Sequence, residues 1–554
     1  MYLARPNLGQ PLITSFSNLA SGIDFIIVSE PGAKASDIKS LVNDILFIKP
    51  VDDKKISFPL NVTNVQKAKV NHREDSAFGN IGTHLIDCEL FGTRKKTAFW
   101  NVTVRITADS NAILKGRKKR LFDVRLAHES YIKENNHALC VYESIGDTLS
   151  FRHSSDLHLA KRNDEILKQI KYKAPPREFE NESKGFINFN ENFQNLIQHI
   201  NHHSDEIDFL VVSGDVVDYY QPDEFYKQNS GVVCSFSDSN WSIFMDAVLG
   251  NGGLNKNHEL TVPIFTTTGN HDFRVFHYNL KVRDQFKSFG LTNRLTNYLE
   301  EKHIDATGSI NADLIYLKDY FKCINPDLNY LVHFGNTDLI FLDGGQDNYT
   351  HGFMDALIGG SPDTDCVTDS QMELIKSYFE SKKGPGPIVI IVHTPPVNIK
   401  GENEKQELYE NYLRKKTGKP WIDRKDNNLS FGSLAHNWKT FLEVLTGLTN
   451  QKKYIVDLVL SGHAHQNIEF RLQPYYHRKD KRYEVGIYCW DYSNQLLNLK
   501  TPEERRQWWE KNKPFILQTA ATGPTGKYEP EIRKIVIENN QVKEMTTKKL
   551  ADLK

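Results

Sequence analysis

Four apolar runs in this 554-residue chain each lead directly into a segment of metal-ligating residues, and that repeated arrangement limits the fold more than any other feature. The runs are Asp208–Val212, Val262–Phe265, Pro387–Val392 and Tyr454–Leu460. They lack the apolar/polar alternation of a half-exposed strand and read as strands buried on both faces of a sheet. Gly214-Asp215, Gly269-Asn270-His271-Asp272, His393 and Gly462-His463-Ala464-His465 come after them. A fifth segment, Ser155-Asp156-Leu157-His158, stands without such a run before it. In layered α/β folds the loops leaving such strands gather at one sheet edge, where residues distant in sequence meet. The i, i+2 spacing of Asp156 with His158, and of His463 with His465, turns both members of each pair the same way if the backbone is extended.

Asp156, His158, Asp215, Asn270, His393, His463 and His465 combine hard oxygen donors with imidazole nitrogens and contain no thiolate. Such a set suits Mn, Fe, Zn, Co or Ni, and it is large enough for two ions sharing one carboxylate. Two ions about 3.5–4 Å apart clamp phosphoryl oxygens and lower the pKa of a bridging water, giving hydroxide near neutral pH. A lone Gly-Asp or Val-His is commonplace, whereas five segments in this order, two of them fixing four positions, are not.

On those five motifs, from Asp156 to His465, the chain resembles the calcineurin-like metallophosphoesterase superfamily. The resemblance implies an α/β fold over 148–537, a four-layer sandwich of two mixed β-sheets flanked by helices. It implies that Asp156, His158 and His465 bind one metal, that Asn270, His393 and His463 bind the other, and that Asp215 bridges them. His271 would protonate the leaving oxygen, with Asp272 orienting its imidazole. The short Asp-x-His and Gly-His-x-His elements are most similar to the branch that includes cyclic-nucleotide phosphodiesterases. Purple acid phosphatases carry a Tyr ligand in a Gly-Asp-x-x-Tyr element; here that position is Asp218, so a redox-active Fe–tyrosinate pair is not expected.

The function these readings give is a dinuclear-metal-dependent phosphoester hydrolase, with a phosphodiester as substrate and metal-activated hydroxide as nucleophile. A phosphomonoesterase or pyrophosphatase would use the same centre, and a binding or scaffold protein with a weakly active site is the alternative of another class. Three basic residues next to the motifs, Arg274, Lys161 and Arg162, are candidates for holding a nonbridging phosphate oxygen. The cofactors would be two divalent or trivalent transition-metal ions, Mn, Fe or Zn, and the partner a small-molecule phosphoester.

Composition sets limits around this reading. Lysine and arginine (69) nearly balance aspartate and glutamate (70), so net charge gives no support to nucleic-acid binding. Six scattered cysteines without Cys-x-x-Cys indicate neither a zinc ribbon nor a disulfide framework. No leader-like or membrane-spanning apolar run stands out, which makes a cytoplasmic location the expectation; oligomeric state is left open.

Residues 1–147 differ in pattern from the rest of the chain. Phe25–Ser29, Asp44–Ile48, Ile56–Val62, His84–Phe91, Ala98–Thr107, Leu121–Ala127 and Ala138–Tyr142 are short β-rich runs between polar turns, predicting a β-sandwich of about seven strands, immunoglobulin-like in pattern. Lys115–Arg120 is basic, and between two strands it reads as a solvated hairpin. Within the second part, Asp164–Ile170 and Phe189–Asn201 have helical periodicity, a helix should open at Ser433, and Thr501-Pro-Glu-Glu is a helix start. Residues 219–261, 273–330 and 400–428 are insertions long enough to form walls or lids, and 538–554 reads as a C-terminal tail.

Overall fold

The computed structural model describes residues 1–29, 32–68, 98–128, 131–220, 235–275, 282–299, 314–345, 364–382, 384–399, 432–448, 454–477, 481–524 and 529–553. The expected strand His84–Phe91 and insertion 400–428 lie outside the described residues.

The apolar runs become the central strands of two sheets. In the first sheet, Thr148–Ser154, Phe209–Ser213 and Ile264–Thr267 run parallel, and Glu531–Glu538 lies antiparallel beside Thr148–Ser154. In the second, Thr337–Leu342, Ile388–Val392, Leu458–Ser461 and Phe515–Gln518 run parallel, with antiparallel strands on both flanks.

Successive side chains of these strands serve opposite cores, as the two-residue period of a strand requires. Phe209 and Val211 point between the sheets, where they meet Val389, Ile391, Leu458 and Leu460. Leu210 and Val212 point outward under helices Phe189–His202 and Trp241–Leu249. Ile388, Ile390 and Val392 likewise pack under helices Asp369–Ser381 and Trp438–Leu445. The result is four layers, helix, sheet, sheet and helix, as the motifs implied. Helix Phe189–His202 is capped by the Asn188 side chain and buries Phe189, Phe193, Leu196, Ile197 and Ile200 on one face.

A buried ion pair ties the sheets together. Arg533, fully buried on the first sheet, donates to Glu469 Oε1 of the second at 2.8 Å and to the carbonyls of Gln518 and Met545 at 2.9 and 2.7 Å.

The N-terminal part forms two further sheets around their own core. One orders Tyr2–Arg5, Ile23–Ser29, Ala98–Arg105 and Asn61–Lys67; the other orders Leu12–Ser15, Tyr131–Tyr142, Lys119–His128, Leu46–Pro50 and Phe58–Pro59. Phe25, Ile27, Trp100 and Val102 face Phe122, Val124, Leu139 and Val141. Two details depart from an immunoglobulin pattern, whose sheets are antiparallel. Leu12–Ser15 pairs parallel with Tyr131–Tyr142. Ala35–Ile45 is an amphipathic helix burying Ile38 and Val42, so the strand expected at Asp44–Ile48 begins only at Leu46.

Three further readings are corrected. The helix expected from Ser433 starts at Trp438, because Leu434–His436 pairs as a strand with Thr364–Cys366 and Asn437, left-handed, separates the two elements. Residues 538–554 are not a loose tail: Gln541–Glu544 and Thr547–Lys549 both pair with Glu531–Glu538. Each strand is too short and too polar to show periodicity in sequence. The basic run, expected as a hairpin between two strands, instead joins helix Ser110–Leu114 to strand Lys119–His128, with Lys115 paired to Asp53 at 2.8 Å and Arg117 and Arg120 to Asp52 at 2.7 and 2.8 Å. Helix Pro502–Asn512 has the expected Thr501/Glu504 capping box. Among the described residues, no helix is long and apolar enough to cross a membrane.

Removing one partner of a buried ion pair strands the other charge. Arg533→Ala should therefore destabilise the fold by about 3–5 kcal/mol in urea unfolding, and a loss below about 1 kcal/mol would mean that the pair does not tie the sheets.

Candidate metal centre

All five motifs leave the carboxyl ends of parallel strands, three in the first sheet and two in the second. Their loops are bonded to one another. Asp156 N donates to Gly214 O at 3.1 Å, His158 N to Asp215 O at 2.9 Å, and Gly462 N to His393 O at 2.8 Å. The last bond and that from Thr522 N to Ser155 O, 3.0 Å, join segments at the ends of neighbouring strands or facing sheets.

The backbone carrying the ligands is not extended, which corrects the i, i+2 argument. Asp156, His158, Asp215, His463 and His465 all have positive φ, at 54°, 47°, 48°, 63° and 51°. Non-glycine residues adopt this left-handed conformation at a cost of order 1–3 kcal/mol each, and it concentrates at functional sites. The paired side chains still converge on one cluster. Asp156 Oδ1 lies 3.2 Å from His465 Nε2 and 3.9 Å from His158 Nε2. Asp215 Oδ2 lies 3.5 Å from His158 Nε2 and 3.2 Å from His393 Nε2, between two groups of donors. Asn270 Oδ1 is 3.2 Å from His393 Nε2, and His463 joins Asp215 and His393 in a second cluster.

Motif glycines make this convergence possible through space rather than backbone freedom alone. A Cβ on Gly462 would stand 1.7 Å from Ser155 Oγ and 2.3 Å from Asp156 Oδ2; one on Gly269 would stand 2.3 Å from Asp215 Oδ1.

The electrostatics call for cations. Burial alone would raise both acids, but His465 and His158 hold Asp156 well below the usual carboxylate range, and His393 and His271 do the same for Asp215. Against its own burial, His158 is pushed up to about 10 by Asp156, Asp218 and Asp215. Its Nε2 is buried without a hydrogen-bond partner although it faces two carboxylates. That is the position of a ligand atom whose partner is a metal. The other nitrogens also suit metal ligation, with His158 Nδ1 3.0 Å from Asp218 Oδ1 and His393 Nδ1 donating to Ser213 O at 2.8 Å. The residues present therefore fit two transition-metal ions.

His271 stands beside them. Its backbone N–H donates to Asp215 Oδ1 at 2.8 Å, and its ring crosses that of His158 with centroids 4.3 Å apart. The residue orienting the ring is Asp218, whose Oδ1 is 2.9 Å from His271 Nδ1. Asp272 does not have the role expected of it, since its oxygens accept from the backbone N–H of Val217 and Gly269 at 2.9 and 2.8 Å. With those bonds it shapes the Asn270-His271 turn, and burial, with Asp215 next in size, pushes its carboxyl up to about 7.

Asp218 is the functional residue that sequence reasoning passed over. Besides the two histidines it holds Arg162 Nη2 at 2.7 Å. Its signal in the sequence is its position three residues after Asp215, where purple acid phosphatases carry a tyrosine ligand. The basic candidates separate accordingly. Arg162 pairs with Asp218; Lys161 Nζ is turned to Ser237 O at 2.7 Å; Arg274 is 1% exposed. Lys161 Nζ makes its bond at an exposed position, whereas Arg162 and Arg274 are buried or nearly so.

The model of the calcineurin-like phosphoesterase family matches residues 149–467, a span that takes in every ligand position from Asp156 to His465. The chain belongs to that family. It is accordingly a metal-dependent phosphoester hydrolase. No curated protein sequence matches it. Similar solved structures include a purple acid phosphatase from yellow lupin (Lupinus luteus) seeds, 12% identical with a TM-score of 0.37, covering 95% of this chain and 72% of that one. A dimetal phosphatase from Danio rerio is 10% identical with a TM-score of 0.31, covering 73% and 99%; GAP50, the anchor in the inner membrane complex of Plasmodium, is 13% identical with a TM-score of 0.28, covering 73% and 89%. Superposition at this level bears on neither substrate nor mechanism.

In this phosphoesterase, Gly462→Ala should lose bound metal while keeping native far-UV circular dichroism, since the new methyl must displace Asp156. Retention of both ions by elemental analysis would show that Asp156 is not a ligand.

Proposed function

We propose that the phosphoesterase hydrolyses phosphodiesters, with Asp156, His158 and His465 holding one metal, Asn270, His393 and His463 the other, and Asp215 shared. Two bound Mn, Fe or Zn ions would supply Lewis acidity and a water of lowered pKa. The protein's own part is to position and to move a proton. Asp218 takes the Nδ1 side of His271, which leaves Nε2 as the nitrogen able to protonate a departing alkoxide. Against burial, the two histidines and then Arg162 hold Asp218 well below the usual range, so Asp218 stays an acceptor while His271 cycles.

The observation carrying the diester reading is that the charge of Arg162 is already balanced by Asp218, while Lys161 Nζ is bonded to Ser237 O. A phosphomonoester brings close to two negative charges at neutral pH, having a second pKa of about 6, and a diester brings one. The two carboxylates of the centre have histidines as cationic neighbours, and the Arg162 charge is taken up by Asp218. A monoanion is the better match.

The test compares bis-p-nitrophenyl phosphate with p-nitrophenyl phosphate on Mn-loaded protein, with Asp215→Asn as the blank. Higher kcat/KM for the diester, abolished in the blank, is the expected result; preference for the monoester would make the protein a phosphatase. His271→Ala should lower kcat by about 10²–10⁴ with both ions retained. Asp218→Asn should lower kcat as well, and an unchanged kcat there would remove Asp218 from the positioning of His271.

A further inference from the structure

A second group of metal-ligating side chains lies where the N-terminal sheets meet the catalytic sheets. Asp123 and His137 occupy neighbouring strands at the point where their pairing slips between Phe122 and Val124. Glu259 reaches them from the loop before Ile264–Thr267. One ligand atom from each of the three lies within 4.8 Å of the others. Asp123 is 1% exposed and His137 0%, and Glu259, at 17%, closes the group on its solvent side.

Bonds within the cluster use only some of its polar atoms. His137 Nε2 is 2.8 Å from Glu259 Oε1, and His137 N donates to Asp123 Oδ1 at 2.8 Å. Asp123 Oδ2 is buried with no hydrogen-bond partner. Such atoms are costly to enclose unless something binds them. What stands nearest is the Lys54 ammonium, 2.8 Å from Glu259 Oε1 and 3.7 Å from Asp123 Oδ2. Its side chain is 48% exposed and can swing away. The position between the two carboxylates is thus already that of a cation, and one ammonium balances one of two negative charges.

An imidazole with two carboxylates is a donor set for zinc-like divalent ions, with water completing the coordination. We infer that Asp123, His137 and Glu259 form a structural divalent-cation site that fastens the N-terminal β region to the catalytic region, with Lys54 standing in for the ion when none is bound. The site shares no residue with the catalytic centre. On metal binding, Lys54 leaves toward solvent and His137 exchanges its bond to Glu259 for the ion.

The test uses the full chain carrying Asp215→Asn and His463→Ala, dialysed against zinc chloride and analysed for total zinc. Adding Glu259→Gln should remove about one equivalent, since structural zinc requires its charged ligands. Lys54→Met, which removes the competing ammonium, should retain that equivalent and bind it more tightly. Unchanged zinc content on Glu259→Gln, or weaker retention on Lys54→Met, overturns the inference. Should the Asp215→Asn, His463→Ala background itself keep two extra equivalents, the catalytic ligand assignment fails, while the difference made by Glu259→Gln is still read. Glu259→Gln alone should leave diester turnover intact, which separates loss of this site from loss of the fold.

Discussion

Two carboxylates buried to 0 and 1% exposure, Asp156 and Asp215, face the same small volume, and much of the surrounding architecture answers that constraint. An isolated carboxylate enclosed in protein would neutralise itself by taking up a proton. Here five imidazoles gather around the pair. To bring them in, the loops accept left-handed backbone at five ligand positions and glycine wherever a methyl would meet a carboxylate. At about 1–3 kcal/mol for each left-handed residue, the strain is comparable with the whole stability of a small domain. It persists because both sheets, with cores on either face, over-determine where the strand ends lie.

That arrangement explains which parts of the site were legible in the sequence. Strands buried on both faces leave continuous apolar runs, and each run pointed to the ligand residues just beyond it. The four layers came with the family resemblance that those motifs carry. The local geometry was not legible, since positive φ at Asp156 or His463 is imposed by hydrogen bonds from segments distant in sequence, such as His463 N to Asp156 at 2.9 Å. Asp272 and Asp218 show the limit most clearly. Adjacency in sequence made Asp272 the natural partner of His271, yet the tight turn spends its carboxylate on backbone N–H groups. The partner arrives from the loop after a different strand.

Legibility fell further in the N-terminal part, where no ligand anchors the pattern. The alternation at Ala98–Arg105 was plain because that strand has one face in the core. Helix Ala35–Ile45 was hidden because only Ile38, Val42 and their neighbours carry its apolar face, and its last turn merges with the apolar start of the next strand. Strands Tyr2–Arg5 and Leu12–Ser15 have four residues each, too few for a period to emerge.

The two parts of the chain are joined more closely than their separate sheets suggest. Leu8, Ile26, Val28 and Phe99 share a core with the helices of the catalytic region, and Ile13, Leu121, Cys140 and Tyr142 enter the core between its sheets. Polar links run along the same boundary, with Arg5 on Asp327 at 2.6 Å and the Tyr142 hydroxyl donating to Asp208 Oδ1 at 3.1 Å. Asp208 in turn accepts from Ser150 N and stands at the head of strand Phe209–Ser213, which delivers Asp215. The N-terminal part thus meets the ligand-bearing strands at both ends, at Asp208 before strand Phe209–Ser213 and at Thr266, whose N–H donates to Gly9 O at 3.0 Å just before Gly269.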